Sequence, residues 1–176
     1  MTIKARIALT GRPGVGKTML IERLVAELGP AVGGMLTKEI RVCGHRVGFS
    51  LHDIATGREA VLAHIHQRVG PKVGRYTVNS GSLNEVGVPA ILAALEQRSI
   101  VVIDEIAPME LTSADFVGAV EKALNGATGL IISTHAHTEH ALAHRARQEL
   151  ELFRVKLSNR DALPDKLLSR FRGTAQ

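Results

Sequence analysis

Gly11-Arg12-Pro13-Gly14-Val15-Gly16-Lys17-Thr18 stands between a β-rich run, Ile3 to Thr10, and a stripe of Leu20, Ile21, Leu24, Val25 and Leu28 at helical spacing. Strand, glycine-rich loop and helix form the context in which the pattern G-x-x-x-x-G-K-[ST] binds phosphate. Gly11, Gly14 and Gly16 permit backbone conformations that side chains forbid, so successive N–H groups of the loop turn inward as an anion nest at a helix N-terminus. Lys17 adds positive charge toward the β- and γ-phosphates, and the Thr18 hydroxyl is placed to ligate Mg²⁺. Gly11, Arg12, Pro13, Gly14, Val15, Gly16, Lys17 and Thr18 are therefore candidate nucleotide-binding residues, with Lys17 also a candidate catalytic group. The bland alternative is a glycine-rich turn that binds nothing.

Beyond this loop the chain continues to alternate. Gly29-Pro30 closes the first helix, Ala31 to Thr37 reads as a short strand, and Glu39 to Asp53 reads as an inserted antiparallel edge hairpin around Cys43-Gly44-His45. Ala55 to Asn79 reads as a loop-rich cover with one short strand, Tyr76 to Val78. Val88, Ile91, Leu92 and Leu95 recur at helical spacing, and that helix ends near Gln97. Ser99 to Asp104 is a continuous apolar run of buried parallel-strand type that stops at Asp104 and Glu105. Phe116, Val117, Val120 and Leu124 mark a further helix, with Thr112 and Asp115 as a capping box. A strand at Gly129 to Thr134, a polar helix at Glu139 to Gln148, a strand at Leu152 to Leu157 and a helix at Pro164 to Arg172 complete the pattern. The expected fold is α/β, a mainly parallel sheet with helices on both faces, in a single domain over residues 1–176.

Composition excludes several function classes. The 176 residues carry 22 Lys plus Arg against 17 Asp plus Glu, a net charge of +5, spread along the chain in a way that supports nucleic-acid contact only weakly. No apolar run reaches the roughly 18 residues of a membrane span, and no signal-peptide stretch opens the chain. With no Trp and only five aromatic residues, stacking platforms for single strands are poorly supported. One cysteine, Cys43, makes neither an internal disulfide nor a zinc framework, so a cytoplasmic protein, monomeric by default, is expected.

Chemistry beyond phosphate binding requires a second element. Asp104 ends an apolar strand, the position from which a Walker-B carboxylate holds Mg²⁺ opposite the loop. Glu105, next to it, is suited to orient or deprotonate an attacking water, with a pKa set by burial and by the metal. The bland reading makes Asp104 a strand-end cap and Glu105 a solvated charge. Glu110 either positions metal or water or is a surface or helix-entry acid. An arginine should meet the γ-phosphate in the transition state; Arg41, Arg46, Arg75, Arg145 and Arg147 are candidates that sequence does not rank. Asn159, Arg160 and Asp161 follow the last strand, where they either contact a purine base or serve as turn and capping residues. His135, His137, His140 and His144 cluster, and the 140/144 pair has i, i+4 spacing. The Glu that a His-Glu-x-x-His site needs after His140 is missing, which favours a solvated helix face.

The segments Gly11 to Thr18, Gly33-Gly34 leading to Thr37-Lys-Glu-Ile-Arg41, Arg46-Val-Gly-Phe49, Gly74-Arg-Tyr-Thr-Val-Asn79, Val102 to Leu111 and Asn159-Arg-Asp161 span nearly the whole chain. Together they resemble the thermophilic NTPase family, which includes the cancer-related nucleoside triphosphatase. The resemblance implies a RecA-like parallel sheet and Mg²⁺-dependent hydrolysis of ATP, GTP and other nucleoside triphosphates to the diphosphate and phosphate. Ala107 departs from the family's usual glycine after Asp-Glu-Ile; its methyl narrows the site without removing a reacting group. Two other readings compete with hydrolysis. In a nucleoside, nucleotide or polynucleotide kinase, Arg145 and Arg147 would belong to a lid and Glu105 would serve an acceptor hydroxyl. In a nucleotide-dependent switch, slow hydrolysis would time contact with a partner such as RNA.

Overall fold

The computed structural model describes residues 5–98 and 100–172. Ile3, Lys4 and Ser99, where two of the expected strands begin, lie outside them. In chain order the elements are β1 (Arg6–Gly11), α1 (Lys17–Leu28), a 3₁₀ turn (Gly29–Ala31), β2 (Val32–Val42), β3 (His45–Asp53), β4 (Glu59–His64), β5 (Lys72–Val73) and β6 (Tyr76–Val78). Then come α2 (Ser80–Ser82) with a π-helical turn (Leu83–Gly87), α3 (Val88–Gln97), β7 (Ile100–Ile106) and a 3₁₀ turn (Glu110–Thr112). The remaining elements are α4 (Ala114–Gly126), β8 (Leu130–His135), α5 (Ala141–Glu149), β9 (Glu151–Arg154) and α6 (Leu163–Arg172).

The strands form one sheet in the order β5-β6-β4-β3-β2-β7-β8-β1-β9. From β2 to β9 the pairings are parallel, and from β2 outward to β5 they are antiparallel. Strand alternation builds a core on each face. Ile7, Leu9, Ile100, Val102 and Ile131 pack with Leu20, Ile21 and Leu24 of α1 and Leu163, Leu167 and Phe171 of α6. Ala8, Val101, Ile103, Leu130 and Ile132 point the other way, to Ile91 of α3, Phe116 and Val120 of α4, and Leu142 and Ala146 of α5. Helices therefore cover both faces of the parallel half, as the continuous apolar strands require.

Three sequence expectations are corrected. The short strand and the inserted hairpin are not separate pieces, because β2 runs unbroken through Thr37. Its residues Val32 to Met35 pair with β7, and Met35 to Val42 pair with β3. Gly34 sits inside the strand, as expected, at φ +114°, where an added Cβ would lie 2.1 Å from the Val102 carbonyl oxygen. The segment from Ala55 to Asn79 is not a loop-rich cover: β4, β5 and β6 extend the sheet, and Leu62, Tyr76 and Val78 enter the core. Finally, Ser113 rather than Thr112 caps α4, its Oγ accepting from Phe116 N at 3.1 Å, while the Thr112 hydroxyl donates to Met109 O. No helix among the described residues is long and apolar enough to cross a membrane.

Candidate active site

The loop that follows β1 is shaped by two different constraints on its glycines. Gly14 and Gly16 adopt φ of +75° and +106°, which strongly favour glycine. Gly11 is required by proximity instead, since a Cβ there would stand 2.7 Å from Val155 O of the chain leaving β9. Arg12 and Pro13 are exposed, and Val15 is buried with its N–H turned to Arg12 O at 3.2 Å. No side chain caps α1, whose N-cap position is Gly16. The first-turn N–H groups of α1 and the positive end of its dipole therefore remain available to an anion. Lys17 is buried and bends back over the loop, its Nζ donating to Gly11 O at 3.2 Å and facing Glu105 Oε2 at 3.7 Å.

Opposite the loop, β7 delivers two consecutive carboxylates into one cleft, which regular strand alternation forbids. The register supplies the reason: Ile103 pairs with Ile132 and Ile106 with Thr134, so β7 spends one residue more than β8 and bulges at Asp104-Glu105. Asp104 is buried and held on both sides, Oδ2 accepting from Thr18 Oγ1 at 2.7 Å and Oδ1 from Ser133 Oγ of β8. Burial, aided by the Glu105 charge, pushes it up to about 6 against the pull of those hydrogen bonds and of Lys17. Glu105 is raised by burial and lowered by Lys17, and its Oε2 has no hydrogen-bond partner among the described residues. Glu110 is also buried: Oε1 accepts from Thr37 Oγ1 at 3.2 Å, Oε2 is unpartnered, and burial plus the Glu105 charge hold the group well above its ordinary range.

A cleft of about 680 Å³ joins these groups to the antiparallel half of the sheet. Because β2 continues past the level of β7, the β2–β3 ribbon rises beside the cleft and lines it with Thr37, Lys38, Glu39, Arg41, Arg46 and Phe49, with Tyr76 behind. Lys38 leans to the α1 side and pairs with Glu22 at 2.7 Å. Arg41 and Arg46 both bind Glu39. Ala107 also lines the cleft.

The other sequence candidates are placed as follows. Arg145 pairs with Glu149 and Asn125 away from the cleft, and Arg147 donates to the carbonyls of His135 and Thr138. Arg160 reaches toward the loop, with Nη1 3.5 Å from Val15 O, and its Nε is 3.6 Å from Asp161. Asn159 is engaged as a turn residue: Oδ1 accepts from Lys156 N and the amide donates to Arg154 O. His140 caps α5, its Nδ1 accepting from Leu142 N, and His144 meets Glu139 at 3.0 Å. Of the four clustered histidines only His135 lines the cleft, with its ring held below its usual range by burial and by Lys17. Thr37, Ser133 and Tyr76 were not singled out as site residues from sequence. Ser133 carried a usable signal, a polar residue inside a buried strand; Thr37 and Tyr76 stand in segments that carry the family resemblance, but their place beside the cleft needs the fold.

Comparison with known proteins identifies the family and agrees with the fold. A family model described as NTPase matches residues 6–168. The nucleoside-triphosphatase THEP1 of Methanosarcina acetivorans is 44% identical over 170 residues, covering 94% of this chain and 96% of that protein. Among solved structures, the crystal structure of THEP1 from the hyperthermophile Aquifex aeolicus superposes with a TM-score of 0.86 at 28% identity, covering 96% of this chain and 99% of that one. The solution structure of a human cancer-related nucleoside triphosphatase gives 0.79 at 30% identity, covering 98% and 100%.

Proposed function

The chain belongs to the NTPase family and hydrolyses nucleoside triphosphates, and from that premise we propose that Lys17, Thr18, Asp104 and Glu105 carry the reaction with Mg²⁺ as cofactor. One observation carries the assignment: a lysine and a hydroxyl from α1 and two carboxylates from β7 converge on one cleft at the mouth of an uncapped helix. Thr18 Oγ1 and Asp104 Oδ2 are hard oxygen donors 2.7 Å apart, a set that suits Mg²⁺, which takes few protein ligands and completes its shell with water and phosphate oxygens. Those two residues would hold the ion, and Ser133 would fix the orientation of Asp104. When bound, Mg²⁺ neutralises charge on the phosphate oxygens.

The rest of the chemistry is the chain's own. Residues 11–18 hold the phosphates through backbone N–H groups, and Lys17 places its ammonium at the γ end. Glu105 accepts a proton from water as the water oxygen bonds to the γ-phosphorus. The bond from that phosphorus to the β,γ-bridging oxygen breaks, and its electron pair stays with the departing diphosphate. Lys17 pairs with Glu105 before substrate arrives and can turn to phosphate when it does. The large cleft runs toward the β2–β3 ribbon and does not include Asn159 or Arg160. Arg160, whose Nη1 lies 3.5 Å from Val15 O of the loop, is the residue assigned to the base, and its exposed setting would accommodate ATP, GTP and other bases. Localisation in the cytoplasm, one domain and a monomer complete the reading.

The test is phosphate release from ATP, GTP, CTP and UTP with Mg²⁺ and with EDTA. Release from several nucleotides that requires metal is expected, and Glu105→Gln should lower it about 100-fold or more while Mg·nucleotide binding persists. Near-normal turnover in that variant would remove Glu105 from the role.

A further inference from the structure

We propose that Arg46, supplied from within the same chain by the β2–β3 ribbon, is the arginine that meets the γ-phosphoryl group in the transition state. The inference rests on the hydrolytic reading above and adds a reacting-site residue that the loop and the two carboxylates do not identify.

Hydrogen-bond capacity separates the candidate arginines. Arg145 and Arg147 are bound to groups outside the cleft, and Arg75 donates to Arg46 O and Tyr76 OH without lining the cleft. Arg41 lines it, but each of its three nitrogens already holds a partner, Nε and Nη2 on Glu39 and Nη1 on Gly44 O at 2.9 Å, which turns the guanidinium toward the adjoining turn. Arg46 lines the cleft and is held differently. Its Nε donates to Tyr76 OH at 3.0 Å, its Nη1 donates to Glu39 Oε1 at 2.8 Å, and its Nη2 engages no acceptor among the described residues.

The plane of that guanidinium is fixed by packing as well as by hydrogen bonds. Its carbon lies 5.2 Å from the Phe49 ring centroid and 6.0 Å from that of Tyr76, and the two rings meet edge to face at 5.3 Å. A planar donor fork clamped on three sides with one nitrogen free is an arrangement that costs little reorganisation when charge develops on phosphate oxygens. Placement along the strand is consistent with that use. Met35 pairs with Ile103, so Thr37 stands beside the bulged carboxylates, and Glu39, to which Arg46 is hooked, lies about 7 Å further along at the usual strand rise. Lys17, Glu105 and Arg46 all line the same cleft. Lys38, the remaining cation of the ribbon, is matched by Glu22 and lies on the α1 side.

The experiment compares wild type, Arg46→Ala, Arg46→Lys, Lys17→Ala and, as a control outside the cleft, Arg145→Ala. Steady-state Mg·ATP hydrolysis is measured beside calorimetric binding of Mg·ADP with and without aluminium fluoride, a mimic of the transferring phosphoryl group. Arg46→Ala should lower kcat by about 10³-fold, the low end for such arginines, with KM and Mg·ADP affinity within about threefold of wild type. The extra affinity conferred by aluminium fluoride should vanish. Arg46→Lys, which keeps the charge and the Glu39 pair, should fold even if the alanine variant does not, and should still lose at least about tenfold in kcat because an ammonium lacks the planar fork. Arg145→Ala should match wild type. A kcat within about threefold of wild type in either Arg46 variant overturns the proposal, as does a fall in Mg·ADP affinity that parallels kcat. If Lys17→Ala leaves hydrolysis intact, the site itself is misassigned and Arg46 falls with it. If Lys17→Ala abolishes hydrolysis while the Arg46 variants retain it, only Arg46 is overturned.

Discussion

Glu110 carries a carboxyl group that the fold closes off from water while giving only one of its oxygens a partner. Its native pKa stands well above the ordinary 4.5, first because burial disfavours the charge and then because Glu105 and Asp104 are near. The folded protein therefore binds this proton more tightly than the unfolded chain does. Stability from the group is fully present below about 4.5 and is lost as pH rises through the native value. In EDTA, Glu110→Gln, which keeps an oxygen for Thr37, should resist urea better than wild type at pH 8, with the advantage gone at pH 4.5. Parallel urea midpoints at both pH values would refute the assignment. At this scale the sequence was legible where chemistry is local. Residues 11–18 declare their use by spacing alone, and Asp104-Glu105 by their place at the end of an apolar run. Thr37 and Tyr76 acquire their positions only from strands that pair across the chain, and the five arginines differ only in which acceptors the fold brings to them.

Bulges and close approaches decide how the elements carry those residues. Gly34 lies within β2 at φ +114° with the Val102 carbonyl 2.1 Å from a hypothetical Cβ, whereas Gly57 has φ +72° and open space around it. Gly34→Ala should therefore cost about 3 to 5 kcal/mol, combining backbone strain with overpacking between β2 and β7. Gly57→Ala should cost only about 1 kcal/mol from backbone strain. Denaturant unfolding of the two variants measures the contrast, and equal losses would remove the strand contact as the cause. Helices and buried parallel strands were readable because their apolar periods are long. The bulge at Asp104-Glu105 and the continuity of β2 past Thr37 into the hairpin were not, since both depend on partner strands. The three-residue β6 was read at its observed bounds, Tyr76–Val78, whereas the two-residue β5 offers too little alternation to distinguish a strand from a loop.

Across the whole molecule, one sheet links the two faces of the core to the wall of the cleft, so ligand binding and folding are coupled. Mg·ADP at about 100 times its Kd should add about 2.7 kcal/mol to the native state, a rise of roughly 5 to 10 °C in Tm for a chain of this size. Scanning calorimetry should show that rise shrink in EDTA and disappear in Lys17→Ala; an unchanged rise in that variant would place the nucleotide elsewhere. The α/β class and the covering of both sheet faces followed from the order of periodic segments. The width of the antiparallel half did not, because its strands are joined by pairing rather than by pattern.

The turn between β2 and β3 holds the chain's only cysteine, Cys43, exposed and at φ +48°, next to the ribbon that bears Arg41 and Arg46. A thiol-reactive dye would thus attach to the natural protein at one defined address. That address is the tip of the wall beside the cleft mouth, so an environment-sensitive fluorophore there becomes an optical gauge of nucleotide arrival and phosphate departure, installed without altering a single residue.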